Sequence, residues 1–400
     1  MRMYHAAGVL AAAIAIAATP ALAQKAYGPG VTDTEIKIGH TNPYSGPASS
    51  YGTIGKVEDA YFNMINAQGG INGRKIKFMT MDDGYQPPKT VEQVRMLVEQ
   101  EQVAFLFNTL GTPTNTAIHK YVNAKKVPHL FLATGATKWG NPKEFPWTMG
   151  WQPSYQTEGK IFAKYILDNV PKGKIGILYQ NDDYGKDYVH GLKLGLGDKA
   201  KDMIIREVTY EAADPTIDSQ ITDLKASGAD VFYNITIPKF AAMAIRKVHD
   251  IGWQQTHLLN SVAASVSTAL KPAGLEKSKD IISLQYLKDP SDSRWANDAG
   301  MKEYFAFMKQ HAASLDATDL SNAYGYNVAM GLIHLLKQCG NDLTRENIIK
   351  QAANIKNLEL PMMLPGIKVN TSPTDFFPIE QMQLMRFDGA QWVLFGDIIG

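Results

Sequence analysis

Short apolar runs alternate with amphipathic stretches along most of this chain, and the alternation stops at Gly150-Trp151-Gln152-Pro153 and then begins again. Before the break, the runs predict strands over 35–39, 74–81, 103–107 and 127–132. Between them, Ala60, Met64 and Ile65 carry helical spacing over 57–67, and Gly69-Gly70 ends that helix. Val91, Val94, Leu97 and Val98 mark a second helix entered through Pro87-Pro88, and a third is expected over 114–125. After the break, helices over 156–169, 186–196 and 239–251 alternate with strands over 174–179, 204–210, 230–235 and 257–259. Asp214-Pro215 is read as the cap and first turn of a further helix reaching Ala226. Two βαβα series of similar length predict an α/β protein of two doubly wound lobes. Helices are also expected near 294–310, 322–337 and 345–353, and Asp388-Gly389 signals a hairpin between 382–387 and 391–395.

Three loops at the ends of predicted strands hold the candidate binding residues. They are Tyr44-Ser45-Gly46-Pro47 with Tyr51-Gly52, Leu110-Gly111-Thr112-Pro113-Thr114, and Ala133-Thr134-Gly135-Ala136-Thr137. Parallel sheets collect such loops at the strands' carboxyl ends, where backbone N–H groups and short hydroxyls cradle small ligands. The nine histidines show no H-x-x-x-H spacing, Gly191, Gly195 and Gly197 form no phosphate loop, and no G-x-S-x-G is present. The acid pairs Asp82-Asp83 and Asp182-Asp183 are expected to cap strand ends, because successive strand residues face opposite ways. Recognition rather than catalysis is the chemistry on offer, and no cofactor or metal is expected.

The first residues read as an export signal. Arg2 is followed by the uncharged, mostly apolar stretch 6–18, then Thr19-Pro20 and the A-x-A site Ala21-Leu22-Ala23. That stretch is shorter than the roughly 20 residues that span a bilayer. Cleavage near Ala23 takes the formal charge from +1 to zero, giving no electrostatic reason to expect nucleic acid or anionic membrane as partner. The single cysteine, Cys339, excludes an internal disulfide and is expected to be buried in a helix.

"SGPASSYG" (45–52), "INAQGGINGRKIKF" (65–78), "DDG" (82–84), "ATGAT" (133–137) and "NDDYGKDY" (181–188) resemble the branched-chain amino-acid binding protein family. These are type I periplasmic solute-binding proteins that serve ABC importers. The resemblance implies two Rossmann-like lobes, 30–151 plus 285–377 and 152–284 plus 378–400, joined by three crossovers and closing on a ligand. It also implies a monomer that docks on a membrane permease.

Carried over residue by residue, the resemblance assigns the ligand carboxylate to Leu110, Gly111, Thr112, Gly135, Ala136 and Thr137, with Gly111 standing where the family has a serine. Tyr51 and Tyr184 match aromatic walls, and Ile237 replaces a wall tyrosine. The family's disulfide positions align with Tyr85 and Leu110. Its ammonium-binding glutamate falls near Asn260-Ser261, and no acid occurs between His257 and Pro272. A buried ammonium without an anionic partner costs several kcal/mol in order of magnitude. The expected ligand is therefore a carboxylate with an apolar body and no ammonium: a benzoate, hydroxybenzoate or phenylpropenoid acid. Branched-chain amino acids or amides are the alternative ligands, with Asp183, next to Tyr184, the acid that would serve them. A periplasmic sensor domain and an exported hydrolase are the competing classes.

Overall fold

The computed structural model describes residues 25–400; the expected export signal and its cleavage point lie outside the described residues. The apolar runs form two separate sheets. Five parallel strands lie in the order Lys75–Asp82, Glu35–Asn42, Phe105–Phe107, His129–Leu132, Thr148–Gly150. Phe105–Phe107 and His129–Leu132 are buried at every position, as strands covered on both faces must be.

The second sheet has seven strands: Trp392–Ile399, Met382–Phe387, Ile282–Gln285, Thr256–Leu259, Val231–Ile235, Ile175–Gln180, Ile204–Tyr210. Its last five in that order are parallel, and the C-terminal hairpin adds two antiparallel strands. In both parallel portions the strand that comes first in the chain lies between the second and the third. That arrangement opens a crevice at the carboxyl ends of the first and third strands, where helices leave on opposite faces. One crevice holds the loops after Asn42 and Phe107; the other holds those after Gln180 and Ile235.

The chain passes between the sheets after Gly150, after Gln285 and before Met382. At the first passage Trp151 is fully buried, its ring 4.7 Å from that of Phe131. The Leu320–Cys339 helix crosses it so closely that a β-carbon on Gly331 would lie 2.7 Å from the indole. Cys339 is the buried last residue of that helix.

Two local expectations need correcting. Asp214-Pro215 does not open a helix: the helix is Asp218–Ala226, and the Asp214 carboxylate accepts the Glu211 N–H at 2.8 Å to close a turn. The helix expected over 294–310 is split into a turn at Ser293–Trp295 and a helix at Ala299–His311. The Asp298 side chain accepts the Met301 N–H there, and a capping carboxylate starts a helix afresh. Among the described residues no helix is long and apolar enough to cross a membrane.

Candidate functional site

The crevice of the first sheet is shaped by residues that glycine and carboxylates hold in unusual conformations. Gly111 has φ +100° and leads into the helix Thr112–Ala124, whose first turn contains Pro113. The N–H groups of Thr112 and Thr114 belong to that first turn, which an α-helix cannot satisfy internally. The Thr112 hydroxyl lies 2.6 Å from that of Thr134. Tyr85 lies over Gly111 with φ +61°, a conformation that bulky residues rarely adopt. Asp83 fixes it by accepting the Tyr85 N–H at 2.9 Å and the Thr90 hydroxyl at 2.9 Å. Asp82 accepts the N–H groups of Tyr44, Ser45 and Gly84. This acid pair is therefore a loop brace.

The second lobe supplies an aromatic wall. Asp182 caps the helix Asp183–Leu196 through the Tyr184 and Gly185 N–H groups. The Tyr184 hydroxyl donates to the Thr236 carbonyl at 3.1 Å and accepts from Asn260 Nδ2 at 2.7 Å. Tyr155 stacks on Tyr188 at 4.2 Å and meets Tyr184 edge-on at 5.4 Å. Burial pushes the Tyr155 hydroxyl up to about 12. The Ile237 N–H donates to the Tyr210 hydroxyl, which donates to Gln180 Oε1. Gln180 Nε2 donates in turn to the Tyr85 hydroxyl across the gap between lobes.

Two adjoining chambers lie between the lobes. Tyr51, Ile54, Gln152 and Val262 line both. The inner one is lined by Tyr51, Leu110, Gly111, Thr112, Tyr184 and Ile237, six of the positions expected from sequence. Ser261 lines the outer one. Among the described residues no charged side chain lines either chamber.

Gly135, Ala136 and Thr137 line neither. Thr137 donates both its N–H, at 2.7 Å, and its hydroxyl, at 2.9 Å, to Asp187 of the second lobe. A donor so committed belongs to the contact between lobes at the rim, not to the chamber. Gly135 is packed behind the wall, where a β-carbon would lie 2.4 Å from the Pro153 carbonyl. Asp183 likewise stands at the rim, 2.7 Å from the Lys138 ammonium, and not in the chamber. Asn260 has both ends of its amide engaged, Oδ1 by the Thr236 N–H and Nδ2 by Tyr184.

Sequence reasoning missed Tyr85, Ile54, Gln152 and Val262 in the inner chamber, and Gln285, Tyr286, Leu320, Ser321 and Tyr324 in the outer. It also missed an acid. Glu158, on the helix Tyr155–Asn169, accepts the Ser261 N–H at 2.8 Å, the Ser261 hydroxyl at 2.6 Å and the Tyr188 hydroxyl at 3.2 Å. Burial raises it to about 7 against the pull of those donors. Its signal in the sequence was faint: one acid four residues past the cap Ser154, on a helix with an apolar face. Among the described residues no three His, Cys, Asp or Glu side chains gather as a metal-binding group.

A family model described as "Periplasmic binding protein" matches residues 35–391. The Leu/Ile/Val-binding protein homolog 3 of Brucella melitensis is 25% identical over 250 residues, 61% of this chain and 64% of that relative. In structure, the chain is similar to a branched-chain amino-acid ABC transporter protein from Thermus thermophilus solved with bound valine. The TM-score is 0.82 and the identity 11%, over 92% of this chain and 97% of that one. A fatty acid ABC transporter substrate-binding protein from Thermomonospora curvata gives a TM-score of 0.78 at 21% identity, over 94% and 95%.

Proposed function

This chain belongs to the periplasmic binding protein family, and on that premise we propose that it captures a small aromatic carboxylate for an ABC importer. The carboxylate meets the first-turn N–H groups and hydroxyl at Thr112, and the aromatic body lies among Tyr51, Tyr85, Tyr155, Tyr184 and Ile237. A helix N-terminus contributes about 1 kcal/mol to holding such an anion, beyond its hydrogen bonds. One observation carries this reading: a tyrosine-rich chamber lined by no charged side chain, with uncharged donors at one end. The protein works as a periplasmic monomer, its lobes 30–151 plus 285–377 and 152–284 plus 378–400 closing on the ligand and presenting the closed form to a permease.

Contacts across the lobes support closure as the ligand-dependent step. They include the Tyr51 hydroxyl to the Val262 carbonyl at 2.8 Å, Thr137 to Asp187, and Lys138 to Asp183. Ligand that touches both lobes favours this closed state by its differential affinity. A thermal-shift screen tests the reading, since ligand at 100 times Kd adds roughly 2.7 kcal/mol of stability. Benzoates, hydroxybenzoates and phenylpropenoid acids are expected to raise the melting temperature.

Branched-chain amino acids or amides remain a second reading because Glu158 brings a carboxylate behind Ser261. Against it, three donors from the protein already occupy that carboxylate.

A further inference from the structure

The outer chamber wall carries the Ser261, Ser321 and Tyr286 hydroxyls and the Gln152 and Gln285 amides, and two of these groups present acceptors that lack a donor. Ser261 Oγ donates its proton to Glu158 Oε2 at 2.6 Å and accepts from no group among the described residues, which leaves its lone pairs for a ligand. Gln152, a residue that lines both chambers, has its Oε1 buried with no hydrogen-bond partner among the described residues. A buried acceptor without a donor is rare in folded proteins and costs about 1–3 kcal/mol.

We infer that the outer chamber receives an uncharged hydrogen-bond donor carried at the end of the ligand opposite its carboxylate, and that Glu158 is the positioning residue that enforces this by fixing the Ser261 hydroxyl. The inference rests on the carboxylate reading above and adds the chemistry of the ligand's other end. A hydroxyl fits. A second carboxylate or a methoxy group offers only acceptors and would leave Ser261 and Gln152 unpartnered. An ammonium would meet no charged side chain on the chamber wall, because Glu158 lies behind Ser261 and is filled by the Ser261 N–H, the Ser261 hydroxyl and the Tyr188 hydroxyl.

Glu158→Gln supplies the test. The amide keeps an oxygen for the Ser261 N–H but turns an NH₂ toward Ser261 Oγ and the Tyr188 hydroxyl. The Ser261 proton is then released toward the chamber, and its preference reverses. The experiment measures Kd by calorimetry at pH 8, where the Glu158 carboxyl is ionised, for 4-hydroxy, 4-methoxy and unsubstituted acids in the benzoate and cinnamate series, with native protein and Glu158→Gln. Native protein should prefer the hydroxy over the methoxy acid by about tenfold or more in at least one series, as sites built around a hydrogen bond do. Glu158→Gln should shrink or invert that ratio while still binding the unsubstituted acid, a change that mere loosening of the fold would not produce. Ser261→Ala, which removes the acceptor itself, should also abolish the ratio. Binding of the acids with equal affinity for hydroxy and methoxy forms overturns the inference and leaves the carboxylate reading intact. An unchanged ratio in both variants overturns it as well. Failure of every acid to bind overturns the carboxylate reading and the inference with it.

Discussion

The Tyr85 ring lies directly over Gly111: a β-carbon on that glycine would stand 2.6 Å from Tyr85 Cε2 and 2.7 Å from Thr114 Oγ1. The two residues exchange volume. The ring of Tyr85 fills the space a side chain at Gly111 would need. The chamber therefore presents an apolar ring face beside Thr112.

Gly111→Ala should destabilise the protein by about 1–3 kcal/mol, because it forces a left-handed conformation on a residue with a β-carbon and also presses on Tyr85. Adding Tyr85→Ala should recover part of that loss by removing the clash, with the φ strain remaining. Chemical denaturation of the single and double variants reads both terms; full additivity would show that the ring and the glycine are uncoupled.

Thr137→Ala and Asp187→Ala should weaken every ligand alike, because their contact stabilises the closed lobes and does not touch the ligand. Asp187 accepts the Thr137 N–H, the Thr137 hydroxyl and Gln156 Nε2 at 2.7, 2.9 and 2.7 Å. Losing the hydroxyl bond should cost about 1 kcal/mol of closure, and a double-mutant cycle on Kd should find the pair coupled. A change in the ranking of ligands would return Thr137 to the chamber.

Tyr184→Phe should cost about 1–3 kcal/mol of stability, since it strips the Thr236 carbonyl of a donor and leaves Asn260 Nδ2 buried without an acceptor. The phenyl ring keeps the chamber wall, so affinity should fall less than stability. Thermal unfolding and calorimetry on the same samples separate the two effects.

Stability should also carry a pH signature from Glu158. Its folded value of about 7 is raised above the ordinary 4.5, so it contributes stability below pH 4.5 that is lost as pH rises toward 7. Asp182 and Asp289, each raised to about 6 by burial, act with the same sign between about 4 and 6. His40, His129 and His257, each lowered to about 3 by burial, act oppositely: their contribution is present above 6.5 and lost as pH falls. The whole-protein curve mixes these, so the informative quantity is native protein minus Glu158→Gln. That difference should decline between about pH 4.5 and 7 by a few kcal/mol at most. The titratable groups around Glu158 are the Tyr155, Tyr188, Tyr233 and Tyr286 phenols, all pushed upward by burial, so none titrates in that window.

The sheets were readable because buried strands are rich in apolar residues, as in Phe105–Phe107, and each such run leaves its loop at a predictable end. Tyr51, Leu110, Gly111, Thr112, Tyr184 and Ile237 were within reach for the same reason: they follow strands whose order creates the crevices. Thr137 lies outside the chambers with its hydroxyl spent on Asp187, 50 residues away in the chain, and a free hydroxyl looks the same in sequence as one so spent. Glu158 escaped notice because the search for an acid followed the strand-end loops, whereas this one reaches Ser261 from a helix 103 residues earlier. The outer chamber draws Gln285 to Tyr324 from a return of the chain into the first lobe, which local pattern does not foretell.

The central claim is that uncharged donors grip an anion between two lobes, with no free acid for a cationic head. Calorimetric titration of the protein, unfolded and refolded to strip any carried ligand, with leucine and with 4-hydroxybenzoate and 4-hydroxycinnamate tests it most directly. The account predicts saturable one-to-one binding of at least one of the two acids and no heat of binding from leucine. Tight binding of leucine with neither acid bound would contradict it.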